Sequence, residues 1–447
     1  MKRVALHTLG CKLNYTETTS IGRQFRDRGY ELVDYSQPSD VFVLNTCSVT
    51  ERADRECRQL IRRVRRQSPG AYVIVMGCYA QLRPEEIQSI EGVDLVLGAK
   101  EKFDLFEYAD TGLKERRARV FVSPIAEVEQ FSRASSFGSS DRTRAFLKIQ
   151  DGCDYSCSFC TIPLARGLSR SIPVEEVHGQ LSLLAAEGFK EVVLTGVNVG
   201  DYGRKIGADL LKLLKTLVTV DGIERIRISS IEPNLLNEEL MDYWLSNKKL
   251  CNHFHIPLQS GSDDILALMR RRYRTDLYAS RIEKIKSVFP DACIGADVLV
   301  GFPGETPTQF DQTYRFLRAL PLSYLHVFTY SERPGTSAIR YEGAVEMKER
   351  AERSERLRML GIRKRRMFEE TFIGKTVNVL FEHAEHSNWW SGFTDQYVRV
   401  FAKSGRSISN EIHPVTITSA TNEHCFGTLI SVQSESVCDV SFSRTIA

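Results

Sequence analysis

Short apolar runs, each closed by a polar or glycine-bearing turn and followed by a stretch of helical period, set the rhythm of the N-terminal part of the chain. Val4-Ala-Leu-His-Thr8 reads as a strand, and residues 14–28 as a helix. Val41–Leu44 is a buried-type strand ahead of a helix from Thr50 to Arg66, and Tyr72–Met76 is a third strand. Pro84 opens another helix where proline is tolerated, and Asp94–Leu97 is a fourth strand. Repeated βαβ units imply a parallel, right-handed sheet with helices on both faces.

The Ser- and Arg-bearing stretch Phe131 to Arg144 reads as a linker. A longer α/β series follows it, with strands at Ala145–Ile149, Val192–Leu194, Arg225–Ile228, Phe254–Ile256, Ile294–Val300 and Leu325–Phe328. About six βα units predict an incomplete TIM-like barrel, whose chemistry sits at the C-terminal ends of its strands. Met347 to Glu370 is charged with interspersed Leu and Met, and reads as a long connecting helix. Beyond Gly374 the period switches to short alternating strands at Val377–Leu380, Tyr397–Phe401, Val415–Thr418 and Cys425–Ile430, a small β-barrel in the style used for oligonucleotides. The expected fold class is α/β, in three units over residues 1–115, 139–370 and 371–436.

Composition narrows the class. Hydrophobic content of 42% and charged content of 26% suit a soluble globular chain, and no apolar run is long enough to span a bilayer. The opening Met-Lys-Arg-Val-Ala-Leu-His-Thr lacks the apolar core of a secretory signal. Eleven cysteines, an odd number, then argue for a reducing, cytoplasmic setting and for metal or redox use over a disulfide framework. The net charge of +3 decides nothing about partners, but Arg58–Arg66, Arg270–Arg274 and Arg363–Arg366 are Arg-rich knots. Each reads either as a solvated face or as a contact for a polyanion.

The chemistry is concentrated in Asp151-Gly-Cys153-Asp-Tyr-Ser-Cys157-Ser-Phe-Cys160. Soft thiolate ligands select iron–sulfur clusters, zinc or cuprous copper. Structural zinc sites pair their cysteines as two separated knuckles, and no second knuckle is present. Three thiols on a four-iron cube leave one iron open for another ligand. Cys11, Cys47 and Cys78 each fall just past an expected strand end, on the edge where parallel sheets bind ligands, with Gly10 and Gly77 beside two of them. They form a second three-thiol set, spread in sequence and gathered by topology. Cys57, Cys251, Cys293, Cys425 and Cys438 are surplus to both sets. Trp389, Trp390, Phe393 and Tyr397, near Lys403 and Arg406, offer either base-stacking surfaces or core filling for the small barrel.

The C-x3-C-x2-C loop with Phe159 before its last thiol resembles the radical S-adenosylmethionine (SAM) enzymes. Together with Gly10-Cys11-Lys12-Leu-Asn14, Asn45-Thr46-Cys47, Met76-Gly77-Cys78, His255-Ile-Pro-Leu-Gln-Ser-Gly261 and Gly301-Phe-Pro-Gly-Glu-Thr306, the chain resembles the methylthiotransferases over nearly its whole length. The C-terminal unit is similar to a TRAM RNA-binding domain, with Gly392-Phe-Thr-Asp-Gln-Tyr397 fitting more weakly. Thr161, where the family often has Ile, and Leu168-Ser-Arg-Ser171 depart from the pattern.

The resemblance implies a [4Fe-4S] cluster on Cys153, Cys157 and Cys160 that cleaves SAM, and a second on Cys11, Cys47 and Cys78 through which sulfur arrives. Tyr155, Gly196, Asn198, Glu232, Gln259 and Asp297 become candidates for the SAM pocket. Cys-Lys-Leu-Asn with Glu17-Thr18 following is similar to the branch that methylthiolates C2 of N6-threonylcarbamoyladenosine at tRNA position 37. The isopentenyladenosine branch more often has Gln-Met after that cysteine, and the ribosomal-protein branch Pro-Lys. Those two substrates stay as alternatives, as does a non-catalytic RNA-binding metalloprotein. Implied partners are tRNA, a reductant such as flavodoxin or ferredoxin, and iron–sulfur assembly and sulfur donors, with no membrane.

Overall fold

A computed structural model describes residues 1–47, 51–109, 117–128, 131–135, 143–386 and 388–430. Its N-terminal sheet is parallel, in the order β2-β1-β3-β4-β5-β6. The strands are β1 (Arg3–Thr8), β2 (Glu31–Val33), β3 (Val41–Thr46), β4 (Tyr72–Gly77), β5 (Leu95–Leu97) and β6 (Arg119–Phe121). Strand alternation decides the layers. Val41 and Val43 pack against Ile21 and Phe25 of helix α1 (Lys12–Asp27), whereas Phe42 and Leu44 pack against Ile61 and Val64 of α2 (Glu51–Gln67). The two helices thus cover opposite faces. Edge strands β2 and β6 escape a reading by apolar runs because each is three residues long and none of their residues is fully buried. The expected start of α2 at Thr50 lies outside the described residues, and the Pro84 helix is a short one, Pro84–Gln88.

The second unit bends its six parallel strands into an open arc. Arg225–Ile228, Glu191–Thr195 and β7 (Arg144–Lys148) form one sheet, and His253–His255, Cys293–Val300 and Tyr324–Thr329 the other. Parallel bridges Ile226↔Leu250 and Ser230↔His255 join them. The linker expected at 131–144 is partly anchored: Ser135 bridges to Leu147, and Ser20 on α1 donates from its hydroxyl to the Ser135 carbonyl (3.1 Å).

Met347–Glu370 is one helix, as its pattern predicts. Leu357 and Leu360 lie in the core of the arc, while Phe368 lies in that of the C-terminal barrel, so the helix stitches the two together. That barrel is closed, in the order Thr376–His386, Trp389–Phe393, Arg399–Lys403, Cys425–Leu429, Ile412–Ala420. The sequence reading missed Trp389–Phe393, whose glycine and serine dilute the alternation, and placed a strand start at Tyr397. Tyr397 instead has φ +64° and turns the chain before the strand that opens at Arg399.

Candidate active site

Strand β7 delivers the chain to Gly152, whose φ of +70° leaves no room for a side chain beneath the carbonyls of Gly167 and Leu168. The loop then closes on its own sulfurs. The Tyr155 and Ile162 N–H groups donate to Cys153 Sγ and Cys160 Sγ (both 3.4 Å), and Arg271 Nη1 donates to Cys157 Sγ (3.1 Å). All three thiols are half-buried and feel one another electrostatically. Burial pushes the Cys153 thiol up to about 11 and Cys160 to about 12, with the neighbouring thiols adding to the rise. Three thiolates are therefore costly here without a cation to share.

The second set stands at the C-terminal edge of three adjacent strands. Thr46 pairs with Gly77 across β3 and β4, so Cys47 and Cys78 leave the sheet side by side. Leu9 N–H donates to the Asn45 carbonyl (2.8 Å), which brings the Cys11 turn against them. Gly10 (φ +108°) lies so close that a Cβ there would come 2.6 Å from Cys47 Cβ. Asn14 Nδ2 clamps the turn by donating to the carbonyls of Leu9 and Thr46 (3.0 Å each). Cys47 and Cys78 are buried and Cys11 is exposed. Although Cys11 is exposed as a residue, the protein packed around its sulfur raises the thiol, and the charge of Arg166 pulls it back.

Charge joins the two sets. Helix α3 (Cys78–Leu82) packs on Ile162–Arg166, the helix that follows Cys160. Arg166 is buried, donates to Asn14 Oδ1, Glu17 and Asp151 (2.9 Å), and exerts its charge on Cys11 and Cys78. Glu17 also accepts from Lys102 (2.7 Å) and Lys148 (2.9 Å), and Lys148 reaches Asp151 (2.6 Å). Although burial opposes its ionisation, Arg166, Lys102 and Lys148 hold the Glu17 carboxyl well below the usual range. Lys102, Lys148 and Arg166 outnumber Glu17 and Asp151, so the network keeps an excess positive charge between the two thiol sets.

Orphaned polar atoms mark where a polar ligand belongs. Asn198 is 5% exposed, and neither its Nδ2 nor its Oδ1 has a partner. Ser229 Oγ and Asn234 Oδ1 are unpartnered as well, while Asn234 Nδ2 donates to the buried Tyr155 hydroxyl (2.9 Å). These residues follow the ends of Glu191–Thr195 and Arg225–Ile228, the edge onto which the Cys153 loop opens. Gly196 is pressed against Gln150, whose Oε1 accepts from the Asn198 N–H (2.9 Å). Glu232 pairs with Arg271, the arginine on Cys157. The donor set fits SAM, and the thiol sets fit two clusters.

Gln259 and Asp297, the other two expected pocket residues, lie beside each other on the second half of the arc. Gln259 (φ +68°) uses its backbone to bond Asp297 O (2.8 Å). The Asp297 carboxylate accepts from His255 Nε2 (2.9 Å) and His326 Nδ1 (3.2 Å), and His255 Nδ1 shares a hydrogen bond with Ser230 (2.6 Å). Gln150 and Arg166 carried no motif that would have singled them out, and Glu17 was noted only as part of a branch motif, not as a charge partner. Arg271 sat inside a knot read as a possible polyanion contact, but points instead to Cys157 and Glu232, while Arg272 covers the Tyr155 ring (4.0 Å).

A ring ladder runs from the C-terminal barrel into the arc. Phe393 stacks on Tyr397 (5.0 Å), Tyr397 on His253 (4.8 Å), His253 on Tyr324 (6.0 Å) and Tyr324 on His255 (6.2 Å). Arg144 lies over Phe393 (4.3 Å), and Arg227 (5.1 Å) and Lys12 (5.6 Å) over Tyr397. Of the four aromatics noted in the sequence, Phe393 and Tyr397 therefore face the arc, where cations already cover them, and Trp390 packs on the barrel's own core. The barrel's outer side keeps Trp389 against Phe426 (5.4 Å), with His424 beside Phe401 (4.8 Å) and Lys403 over Trp389 (5.1 Å).

Comparison with known proteins agrees with this division. Residues 3–98 match the model of an uncharacterized protein family, UPF0004, and residues 147–317 match the radical SAM superfamily. Threonylcarbamoyladenosine tRNA methylthiotransferase MtaB of Bacillus subtilis is 40% identical over 445 residues, 98% of this chain and 99% of that one. Its namesake from Aquifex aeolicus is 41% identical, over 85% of this chain and 92% of its own. A tRNA-2-methylthio-N(6)-dimethylallyladenosine synthase of Wolinella succinogenes is 33% identical over 95% of this chain and 99% of its own. Among solved structures, the radical SAM methyltransferase TsrM of Kitasatospora setae shares the fold, with a TM-score of 0.54 and 17% identity over 76% of this chain and 77% of that one.

Proposed function

The chain belongs to the radical SAM methylthiotransferase family, in the threonylcarbamoyladenosine tRNA branch, and from that premise we propose that it methylthiolates C2 of N6-threonylcarbamoyladenosine beside the tRNA anticodon, at position 37. Two SAM are consumed on the way to 2-methylthio-N6-threonylcarbamoyladenosine. The observation that carries the reading is the pair of three-thiol sets linked through Arg166 and Glu17. Bound [4Fe-4S] clusters would supply reductive SAM cleavage at Cys153, Cys157 and Cys160, and sulfur at Cys11, Cys47 and Cys78.

The chain's own residues do the rest. Asn198, Ser229 and Asn234 offer SAM the polar partners they lack within the protein, and Tyr155 and Gly196 shape the floor. Arg271 donates to Cys157 Sγ and is held by Glu232, so it tunes the charge on that ligand. Arg166 favours negative charge on the second set from its buried seat. Residues 1–115 carry the second set, 139–370 the SAM-cleaving unit and 371–436 the RNA-binding barrel. Exposed Arg62, Arg63 and Arg66 on α2 and the Trp389–Phe426 face suit a phosphate backbone and unstacked bases. A reductant such as flavodoxin or ferredoxin would supply electrons, and iron–sulfur assembly and sulfur donors would reload the second set. No helix among the described residues is long and apolar enough to cross a membrane.

The test is anaerobic incubation of the reconstituted protein with SAM, a reductant and tRNA that carries or lacks threonylcarbamoyladenosine, followed by nucleoside mass spectrometry. Methylthiolated product is expected only from the modified tRNA. Product on the tRNA that lacks the threonylcarbamoyl group, or none at all, would defeat the reading. Cys47→Ala should still cleave SAM to 5′-deoxyadenosine while losing the methylthio product.

A further inference from the structure

Lys12 follows Cys11 directly and opens helix α1. The residue keeps an exposed surface, but its ammonium is crowded by Tyr397 of the C-terminal barrel and by Arg144, Glu191 and Arg227 of the central arc. Its cationic neighbours are spoken for. Arg227 makes two bonds to Glu191 (2.7 and 3.2 Å) and donates to the carbonyls of Thr394 (3.1 Å) and Asp395 (2.8 Å). Arg144 pairs with Glu382 (2.8 Å), and Arg225 donates to the carbonyls of Phe393 (2.9 Å) and Asn378 (2.8 Å). Among the described residues no carboxylate lies within ion-pair distance of Lys12, whose ammonium instead rests over the Tyr397 ring at 5.6 Å. It is an uncommitted cation on the very turn that carries a proposed cluster ligand.

The substrate chemistry supplies its missing partner. Threonine joined through its amino group to a carbamoyl carbon keeps a free carboxylate. C2 and the N6 substituent belong to one adenine ring, so a ring that presents C2 to the Cys11 set brings the substituent near the same turn. We propose that Lys12 is the specificity-determining residue of this site, reading the free carboxylate of the threonylcarbamoyl group from its seat on the Tyr397 ring. This deepens the function proposed above and rests on it. An isopentenyl group carries no charge and would leave the ammonium unpaired, so the residue rejects it as well as accepting the acid. Tyr397, fixed in the left-handed region by its turn, positions the ammonium without competing for it, because a ring face accepts a cation and makes no salt bridge.

Binding to anticodon stem–loops tests the assignment without turnover. Reconstituted parent, Lys12→Met and Lys12→Arg are titrated with loops carrying threonylcarbamoyladenosine or plain adenosine, with iron per chain measured in each. For Lys12→Met, affinity for the modified loop should fall about 10- to 100-fold, the range of a charge-assisted hydrogen bond, to that for the plain loop. Its affinity for the plain loop and its iron content should stay at the parent's, and Lys12→Arg should restore most of the preference. An equal loss on both loops would make Lys12 a general phosphate contact and overturn the proposal. So would a preference that survives in Lys12→Met. A parent that fails to distinguish the loops and forms no methylthio product would instead overturn the function on which the proposal stands.

Discussion

Asn198 has a buried amide with nothing to bond, the kind of unmet demand a folded chain tolerates where a ligand completes it. Replacing it by Ala should weaken SAM binding about tenfold, the worth of a lost hydrogen bond, with iron content unchanged. Equilibrium dialysis with labelled SAM under non-reducing conditions measures this, and an unchanged affinity would remove Asn198 from the pocket. The six proposed cluster cysteines were legible from spacing and from their position after strands. Arg166 and Arg271 were not, because an arginine in sequence, whether alone or inside a basic knot, carries no sign of which sulfur it will meet. Asp297, named from its place on a late strand, accepts from His255 and His326 through Oδ1 alone.

At the scale of elements, helix α1 does two tasks, covering one sheet face with Ile21 and Phe25 and inserting Glu17 into the boundary with the central unit. The apolar pattern announced the first task. The second is invisible without tertiary structure, since Lys102, Lys148 and Arg166 come from separate segments. Removing one partner from a buried ionic network leaves uncompensated charge, so Glu17→Gln should destabilise the fold by about 3–5 kcal/mol at neutral pH. The pH dependence follows from the direction of the shift. A carboxyl held below its unfolded value of about 4.3 contributes stability fully present above that pH and lost as pH falls through the folded value. The gap in urea midpoint between parent and Glu17→Gln should thus hold from pH 7 to pH 6 and narrow in acid. A gap of the same size at pH 3, or none at pH 7, would mean that the network contributes little.

Across the whole molecule, Met347–Glu370 ties the C-terminal barrel to the arc, and Tyr397 reaches from that barrel to Lys12 beside the second thiol set. RNA docked on the barrel, as proposed, would therefore be held in register with the chemistry. The sequence offered four aromatics for either base stacking or core filling. The fold divides them, turning Phe393 and Tyr397 inward beneath Arg144 and Arg227 and keeping Trp389 at the outer face with Phe426, Phe401 and Lys403. Periodicity could not foresee that division, because Tyr397 leaves the strand pattern at a positive φ. Each stacked base is worth about 1–3 kcal/mol, so Trp389→Ala should weaken tRNA binding roughly 5- to 150-fold. Because the ring contacts of Trp389 are to Phe426 and Lys403 within the barrel, the variant should cleave SAM without tRNA at the parent rate. Filter binding with tRNA, alongside 5′-deoxyadenosine formation, separates the two effects. If tRNA affinity were unchanged while SAM cleavage fell, Trp389 would be supporting the fold, and the docking surface would have to be sought on the arginines of α2.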